Sequence, residues 1–205
     1  MEKILFITSN KGKFEWAKRR LKTFGVELVQ KQLEIEEPRH IEVEEIALHK
    51  AKKASELASY SLIAEDSGFY IASLNKFPAT NIKFVLSTIG VEGILKLMEG
   101  KKNGDVTFKS ALVFMDKKKK TTKTFICNDE GILSDSAKGD NLRGFGDLMK
   151  IFIPNGFDKT LAEMSDEEFE KYEKNIEKKD HYFQFGEWMR EEIRIRGEDS
   201  IKNLL

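Results

Sequence analysis

The stretch Lys3-Ile4-Leu5-Phe6-Ile7-Thr8-Ser9-Asn10-Lys11-Gly12-Lys13 decides the fold class. Its first half is a short apolar run, the pattern of a buried strand, and its second half is a polar loop. Phe14 to Phe24 then has helical patterning closed by Gly25, and Val26 to Gln30 reads as a second strand. Strand, loop, helix, strand is the opening of an α/β protein, with ligands expected where the first strand meets the helix. Backbone N–H groups at a helix N-terminus attract phosphate, and Gly12 permits its close approach. Lys11 and Lys13 add charge there, and Thr8 and Asn10 add hydrogen-bonding groups. The spacing is not that of a Walker A loop, and such a loop taken alone is usually just a turn.

Working outward, Glu42 to Ser59 is the clearest helix, with Val43, Ile46, Ala47, Ala51, Ala54, Leu57 and Ala58 on one apolar face. Lys50 falls on that same face. Either its stem packs on the core while the ammonium snorkels to water, or the ammonium points into an anionic pocket; helix geometry by itself favours the first. Leu62 to Ala64 reads as a short strand broken by Glu65-Asp66-Ser67-Gly68, with Phe69 to Leu74 returning. Adjacent carboxylates after a buried strand suit Mg²⁺, although such a pair taken alone is more often a polar turn. Two helical pieces are expected over Asn81 to Met98 with a break at Gly90. Val106 to Asp116 and Thr121 to Asn128 form a hairpin around the lysine tip 117–120. Gly144-Phe145-Gly146 could stack on a base, ahead of a short strand over Ile151 to Pro154. Ser165 to Glu168 fits a capping box opening a charged helical C-terminal region.

Composition narrows the class further. The chain has 205 residues, enough for one core or for two lobes on a shared sheet, and calls for no second domain. Lys plus Arg and Asp plus Glu number 35 each, so no global charge draws it to nucleic acid or an anionic membrane. Cys127 is the one cysteine; it is expected to be a small buried hydrophobe, and no disulfide can form within the chain. Met1-Glu2-Lys3 runs directly into the first strand without a signal-peptide pattern, and no apolar run approaches the length of a membrane span. A cytoplasmic location is expected.

Taken in order, the Thr8–Lys13 loop, the helix with Glu45 and Lys50, Ala64-Glu-Asp-Ser-Gly-Phe69, Phe77-Pro78, Phe108-Lys-Ser-Ala111, Gly144-Phe145-Gly146, Ile151-Phe-Ile-Pro154 and Phe157-Asp-Lys-Thr-Leu-Ala-Glu-Met164 resemble the inosine triphosphate pyrophosphatase family. These are house-cleaning enzymes that hydrolyse non-standard purine nucleoside triphosphates. The resemblance covers nearly the whole chain up to about Ser165. It implies an α/β fold in which a long mixed β-sheet with flanking helices forms two lobes around a central cleft, as one two-lobed unit over 1–205 and as a homodimer. It implies that Thr8, Asn10, Lys13 and Lys50 hold the triphosphate, that Ser67 and Gly68 lie near the phosphates, and that Phe145 lies against the base. Glu45 and Asp66 would hold Mg²⁺, and Asp66, alone or together with Glu65, would orient the water that attacks the α-phosphorus. The products would be a monophosphate and pyrophosphate, and the side chains of Lys13, Glu45, Lys50 and Asp66 are expected to converge on one cleft.

Departures from the family pattern cluster at the base-recognition end. Gly144-Phe145-Gly146 is followed by Asp147-Leu148-Met149-Lys150, without the family's aromatic residue and Asp-Pro; Asp147 could stand in for the aspartate. A Ser-His-Arg element is absent, and His181 in Lys179-Asp-His-Tyr182 reads as a surface residue. Where the first helix usually carries an acid, Trp16 stands here. The competing expectations are a degenerate homologue that binds a nucleotide or partner with little turnover, and an enzyme of the same fold acting on another phosphorylated small molecule.

Overall fold

A computed structural model describes residues 3–143 and 146–202, with side chains to 194. The chain runs β1 (Lys3–Ile7), α1 (Lys11–Lys22), β2 (Glu27–Lys31), α2 (Val43–Leu57), β3 (Leu62–Ile71), β4 (Pro78–Ala79), α3 (Ile82–Thr88), α4 (Gly90–Met98), β5 (Asp105–Met115), β6 (Thr122–Leu133), β7 (Phe152–Pro154), α5 (Asp166–Ile176) and α6 (His181–Lys202). Seven strands form one sheet in the order β2-β1-β3-β5-β6-β7, with β4 paired to β3 off that path. β1 pairs parallel with β2 and β3, and the remaining pairings are antiparallel. The long mixed sheet that the family resemblance implies is therefore present.

One expectation fails in an informative way. Glu65-Asp66-Ser67-Gly68 is not a turn between two strands. β3 is a single strand of ten residues, paired with β5 along its whole length from Leu62↔Met115 to Ile71↔Val106. The polar residues mimic a turn in the sequence, yet the period-2 alternation continues through them. Ile63, Phe69 and Ile71 share one face, and Leu62, Ala64 and Tyr70 share the other.

That alternation organises three cores. On one face, Ile63, Leu112, Phe114 and Phe125 pack under α1 and α6, against Leu21, Phe185 and Met189. Further along the same face, Phe69, Ile71, Val106 and Phe152 form the core of the second lobe with Val85 of α3, Ile94 of α4 and Tyr172 of α5. On the opposite face, Leu62, Ala64, Ala111 and Val113 pack under α2. Ala47, Ala51 and Ala54 are fully buried there, and their small side chains let α2 lie close on the sheet. Each fully buried Phe or Leu contributes about 1.5–3 kcal/mol relative to leaving it in water. Between the first two cores the same face of these three strands turns polar: Glu65 and Ser67 on β3, Ser110 on β5 and, one same-face row further along, Asp129 on β6. The register pairs Ser67 with Ser110 and Ser110 with Cys127. Trp16 spans the gap and packs against both cores.

Elsewhere the expected elements are present with shifted ends. α3 and α4 divide at Ile89–Gly90, and Gly90 has a φ of 64°. β6 extends to Leu133, past the expected Asn128. Ser165 and Glu168 form the reciprocal capping box that opens α5. No helix among the described residues is long and apolar enough to cross a membrane.

Gly131 marks where the sheet closes on β7. A Cβ placed there would lie 2.2 Å from the Ile153 carbonyl oxygen and 2.7 Å from the Phe152 ring. Gly131→Ala is therefore expected to lower stability by about 1–3 kcal/mol, because backbone has to move. Urea denaturation checks this; an unchanged midpoint would contradict the packing described.

Candidate active site

α1 begins three residues earlier than the periodicity predicts, because Asn10 caps it. The Asn10 side-chain oxygen accepts the Lys13 N–H at 3.1 Å, which makes Lys11-Gly12-Lys13 the first helical turn. Thr8 Oγ1 accepts the Asn10 N–H at 3.1 Å, and Gln30 Nε2 donates to the Thr8 carbonyl oxygen at 3.1 Å. The loop is thus shaped by its own hydrogen bonds. Its first turn holds no acid and two lysines. Cations are disfavoured at the positive end of a helix, and an anion docked between them removes the conflict.

The Lys13 ammonium reaches across to β3. It lies 2.7 Å from Glu65 Oε2 and donates to Ser67 Oγ at 3.1 Å. The Ser67 hydroxyl donates to Glu65 Oε1 at 2.6 Å, and Ser110 donates to Ser67 at 3.2 Å. Burial opposes charge on both ends of the Lys13–Glu65 pair, and their mutual attraction outweighs it. The Lys13 pKa is consequently raised and the Glu65 pKa lowered. His181, expected at the surface, is buried, with Nε2 3.9 Å from Glu65 Oε1. Burial lowers its pKa against the pull of Asp180 and Glu65, so the imidazole is neutral at pH 7.

Asp66 sits on the other face of β3. Its pKa is raised to about 6, first by burial; Lys13 and Lys50 oppose that shift, and Glu65 and Glu37 add to it. Its carboxylate forms no hydrogen bond or ion pair among the described residues. Lys50 Nζ lies 2.6 Å from Glu37 Oε1 and 3.5 Å from the Glu65 carbonyl oxygen. Of the two alternatives for this lysine, the structure takes the ammonium in the pocket.

These groups open onto a cleft of about 610 Å³, lined among others by Thr8, Asn10, Lys13, Lys50, Asp66 and Ser67. That volume is in the usual range of small-molecule sites. Glu45 is not brought there: it is exposed on α2 and outside the cleft lining. Gly68 is buried beside the cleft, not in it, and its missing Cβ leaves room for the Tyr70 ring, which would otherwise be 2.6 Å away. Phe145 lies outside the described residues. Asp147 is exposed, while its neighbours Leu148 and Met149 are buried and line the cleft. Cys127 is buried as expected and lines the cleft as well; burial pushes its thiol up to about 12, which leaves no thiolate at neutral pH. Glu37, His181 and Asp129 are cleft residues that sequence patterning does not single out.

Among the described residues, no three or more His, Cys, Asp or Glu side chains are grouped to hold a metal ion. The arrangement suits an ion that takes one or two carboxylates and fills its shell with water and phosphate oxygens, as Mg²⁺ does. Asp66, desolvated and unpartnered, is a carboxylate that such a cation would stabilise.

A mixed sheet in two lobes, with a lysine- and carboxylate-lined cleft at a helix N-terminus, defines an α/β protein with a cleft suited to an anionic ligand. Residues 4–176 match the model of the Ham1 family, and the chain belongs to that family. It is 41% identical over 170 residues to the dITP/XTP pyrophosphatase of Saccharolobus solfataricus, covering 83% of this chain and 86% of that one. It is 38% identical over 166 residues to the dITP/XTP pyrophosphatase of Methanopyrus kandleri, covering 81% and 86%. Among solved structures, a HAM1 protein from Coxiella burnetii matches with a TM-score of 0.75 at 20% identity, over 95% of this chain and 99% of that one. A nucleoside-triphosphatase, dITP/XTP pyrophosphatase, from Mycobacterium abscessus matches with a TM-score of 0.70 at 23% identity, over 84% and 94%. These two structural matches establish the fold.

The Asp66 shift carries a consequence for stability. A carboxyl whose folded pKa of about 6 exceeds its ordinary 3.8 holds its proton more tightly when folded. Its contribution is most favourable below 3.8, falls as pH rises to about 6, and stays unfavourable above. Asp66→Asn is expected to be more stable than the parent by roughly 1–3 kcal/mol at pH 7.5, with the advantage vanishing below pH 3.8. Denaturation in metal-free buffer at both pH values checks the sign.

Proposed function

We propose that this chain hydrolyses non-standard purine nucleoside triphosphates to monophosphate and pyrophosphate, and so clears them from the nucleotide pool. The observation that carries this is the convergence of Lys13, Lys50, Asp66 and Ser67 on one cleft at the N-terminus of α1, in a Ham1-family chain. The lysines and the amides of the first helical turn balance phosphate charge and hold the chain of phosphates extended. Glu65 fixes the Lys13 ammonium in place, Ser67 donates to Glu65, and Ser110 donates in turn to Ser67. Asp66, ionised at neutral pH, accepts a hydrogen bond from water and orients it toward the α-phosphorus. Mg²⁺ held by Asp66 and phosphate oxygens would neutralise the charge that develops on the leaving pyrophosphate.

Magnesium dependence, a cytoplasmic location and a homodimer belong to the same proposal. The lone, buried Cys127 is consistent with a reducing compartment. Exposed Phe84, Ile89 and Leu97 on and between α3 and α4 offer apolar surface that a second copy could cover.

Pyrophosphate release with Mg²⁺, measured over ITP, dITP, XTP, ATP, GTP, CTP and UTP, tests the activity. Release is expected from the non-standard purines; release from none would leave a nucleotide-binding homologue without turnover. Asp66→Asn is expected to reduce kcat at least about 100-fold with triphosphate binding largely kept. Retained turnover would remove Asp66 from its assigned role.

A further inference from the structure

Among the described residues of the cleft, Asp129 is a carboxylate that neither phosphate binding nor an ion pair uses. Asp129 lies on β6 on the cleft-facing side of the sheet, opposite Phe108, which is in turn opposite Phe69. It sits two residues along the strand from Cys127, whose neighbour across the sheet is Ser110. That displacement puts Asp129 about 7 Å from the Lys13–Ser67 level. Leu148, Met149, Phe152 and Leu161 line the same cleft and belong to the core of the second lobe, while Lys179 and Glu130 are the charged groups that act on Asp129.

The other acids of the cleft are already engaged or committed. Glu65 is held by Lys13 and Ser67, and Glu37 by Lys50. Asp180 accepts the Phe183 N–H at 2.9 Å as a cap of α6, and Asp66 faces the phosphate end. Asp129 receives a single hydrogen bond, from the Tyr172 hydroxyl to Oδ2 at 2.6 Å, and forms no ion pair among the described residues. A carboxylate offers about four acceptor positions. Tyr172 is almost fully buried on α5 and in ring contact with Phe157 and Phe169, so it holds the carboxylate in a fixed orientation. Burial raises the Asp129 pKa to about 6, against the Tyr172 hydrogen bond and Lys179; the group is still ionised at neutral pH.

We propose that Asp129, oriented by Tyr172, is the base-reading residue of this cleft, and that it selects nucleotides whose ring carries an N–H on its pairing edge. This rests on the nucleotide-cleft assignment made under Proposed function and adds the group that recognises the base. An acceptor-only carboxylate binds the lactam N–H of a 6-oxopurine. It repels adenine, which presents a ring nitrogen lone pair at that position. A base seated against the apolar residues of the cleft would leave the mismatched pair little water to turn to, so the mismatch is costly.

Calorimetric binding of ITP and of ATP, in EDTA so that neither is turned over, tests this with parent, Asp129→Asn and Tyr172→Phe. The parent is expected to prefer ITP. Asp129→Asn, which can donate as well as accept, should weaken ITP binding about 10- to 100-fold and leave ATP binding unchanged or tighter. Tyr172→Phe keeps the carboxylate and should keep the ITP preference within a few-fold. An ITP:ATP ratio unchanged in Asp129→Asn overturns the proposal, as does loss of the ratio in Tyr172→Phe alone, or failure of both nucleotides to bind the parent. Thermal melts of each variant separate a folding defect from a changed ratio. Pyrophosphate release by the parent judges the hydrolytic function independently: a chain that binds ITP through Asp129 without releasing pyrophosphate refutes that function and keeps this assignment.

Discussion

Everything in the molecule depends on three strands that pass unbroken through both lobes. β3, β5 and β6 stay hydrogen-bonded to one another from the core beneath α1 and α6 to the core beneath α3, α4 and α5. The helical layer above them divides, and the sheet below does not. At the division the cleft-facing side of the strands carries Glu65, Ser67, Ser110 and Asp129 where aliphatic and aromatic residues stand on either side. Polar side chains are tolerated in a strand interior only where water or a ligand can reach them, or where they satisfy one another. Here Lys13, Glu65, Ser67 and Ser110 satisfy one another, and the cleft provides access to the rest.

The electrostatics follow from that placement. Two lysines occupy the positive end of α1, and one is drawn onto a buried glutamate across the cleft. Burying an ion pair costs desolvation that the pair's attraction only partly offsets. This pair is retained at the place where an additional anion would be shared between Lys13, Lys50 and the helix terminus. Asp66, next along the strand from Glu65, points to the opposite face of the sheet. The two adjacent acids therefore have different environments: Glu65 is ionised by its partners, and Asp66 is held near pH 6 without one.

Much of this was legible in the residues. The apolar run ending at Thr8, the alanine-rich face of α2, the lysine-tipped hairpin and the Ser165 capping box each have a local physical cause, and each is found. What local patterning misjudged depends on distant parts of the chain. Glu65-Asp66-Ser67-Gly68 imitates a turn, because nothing within β3 reveals that Lys13 and Ser110 will satisfy its polar groups. His181 has the look of a surface residue in a charged segment until α6 folds it against Glu65. Glu37, in an irregular stretch before α2, enters the cleft through its pairing with Lys50. Glu45 is the converse: a residue of the right chemistry, five positions before Lys50, that the rotation of the helix leaves on the exposed side.

The unbroken strands also decide how the molecule deforms. Lobes joined by a flexible linker rotate about a few free backbone torsions and rest at no preferred angle. The torsions between these lobes are locked in ladders, with Trp16 wedged against both cores. Widening the cleft means twisting or bending a three-stranded ribbon, a deformation with a restoring force. The aperture behaves as a spring with a set width, and an occupant of the wrong length works against the elasticity of the sheet.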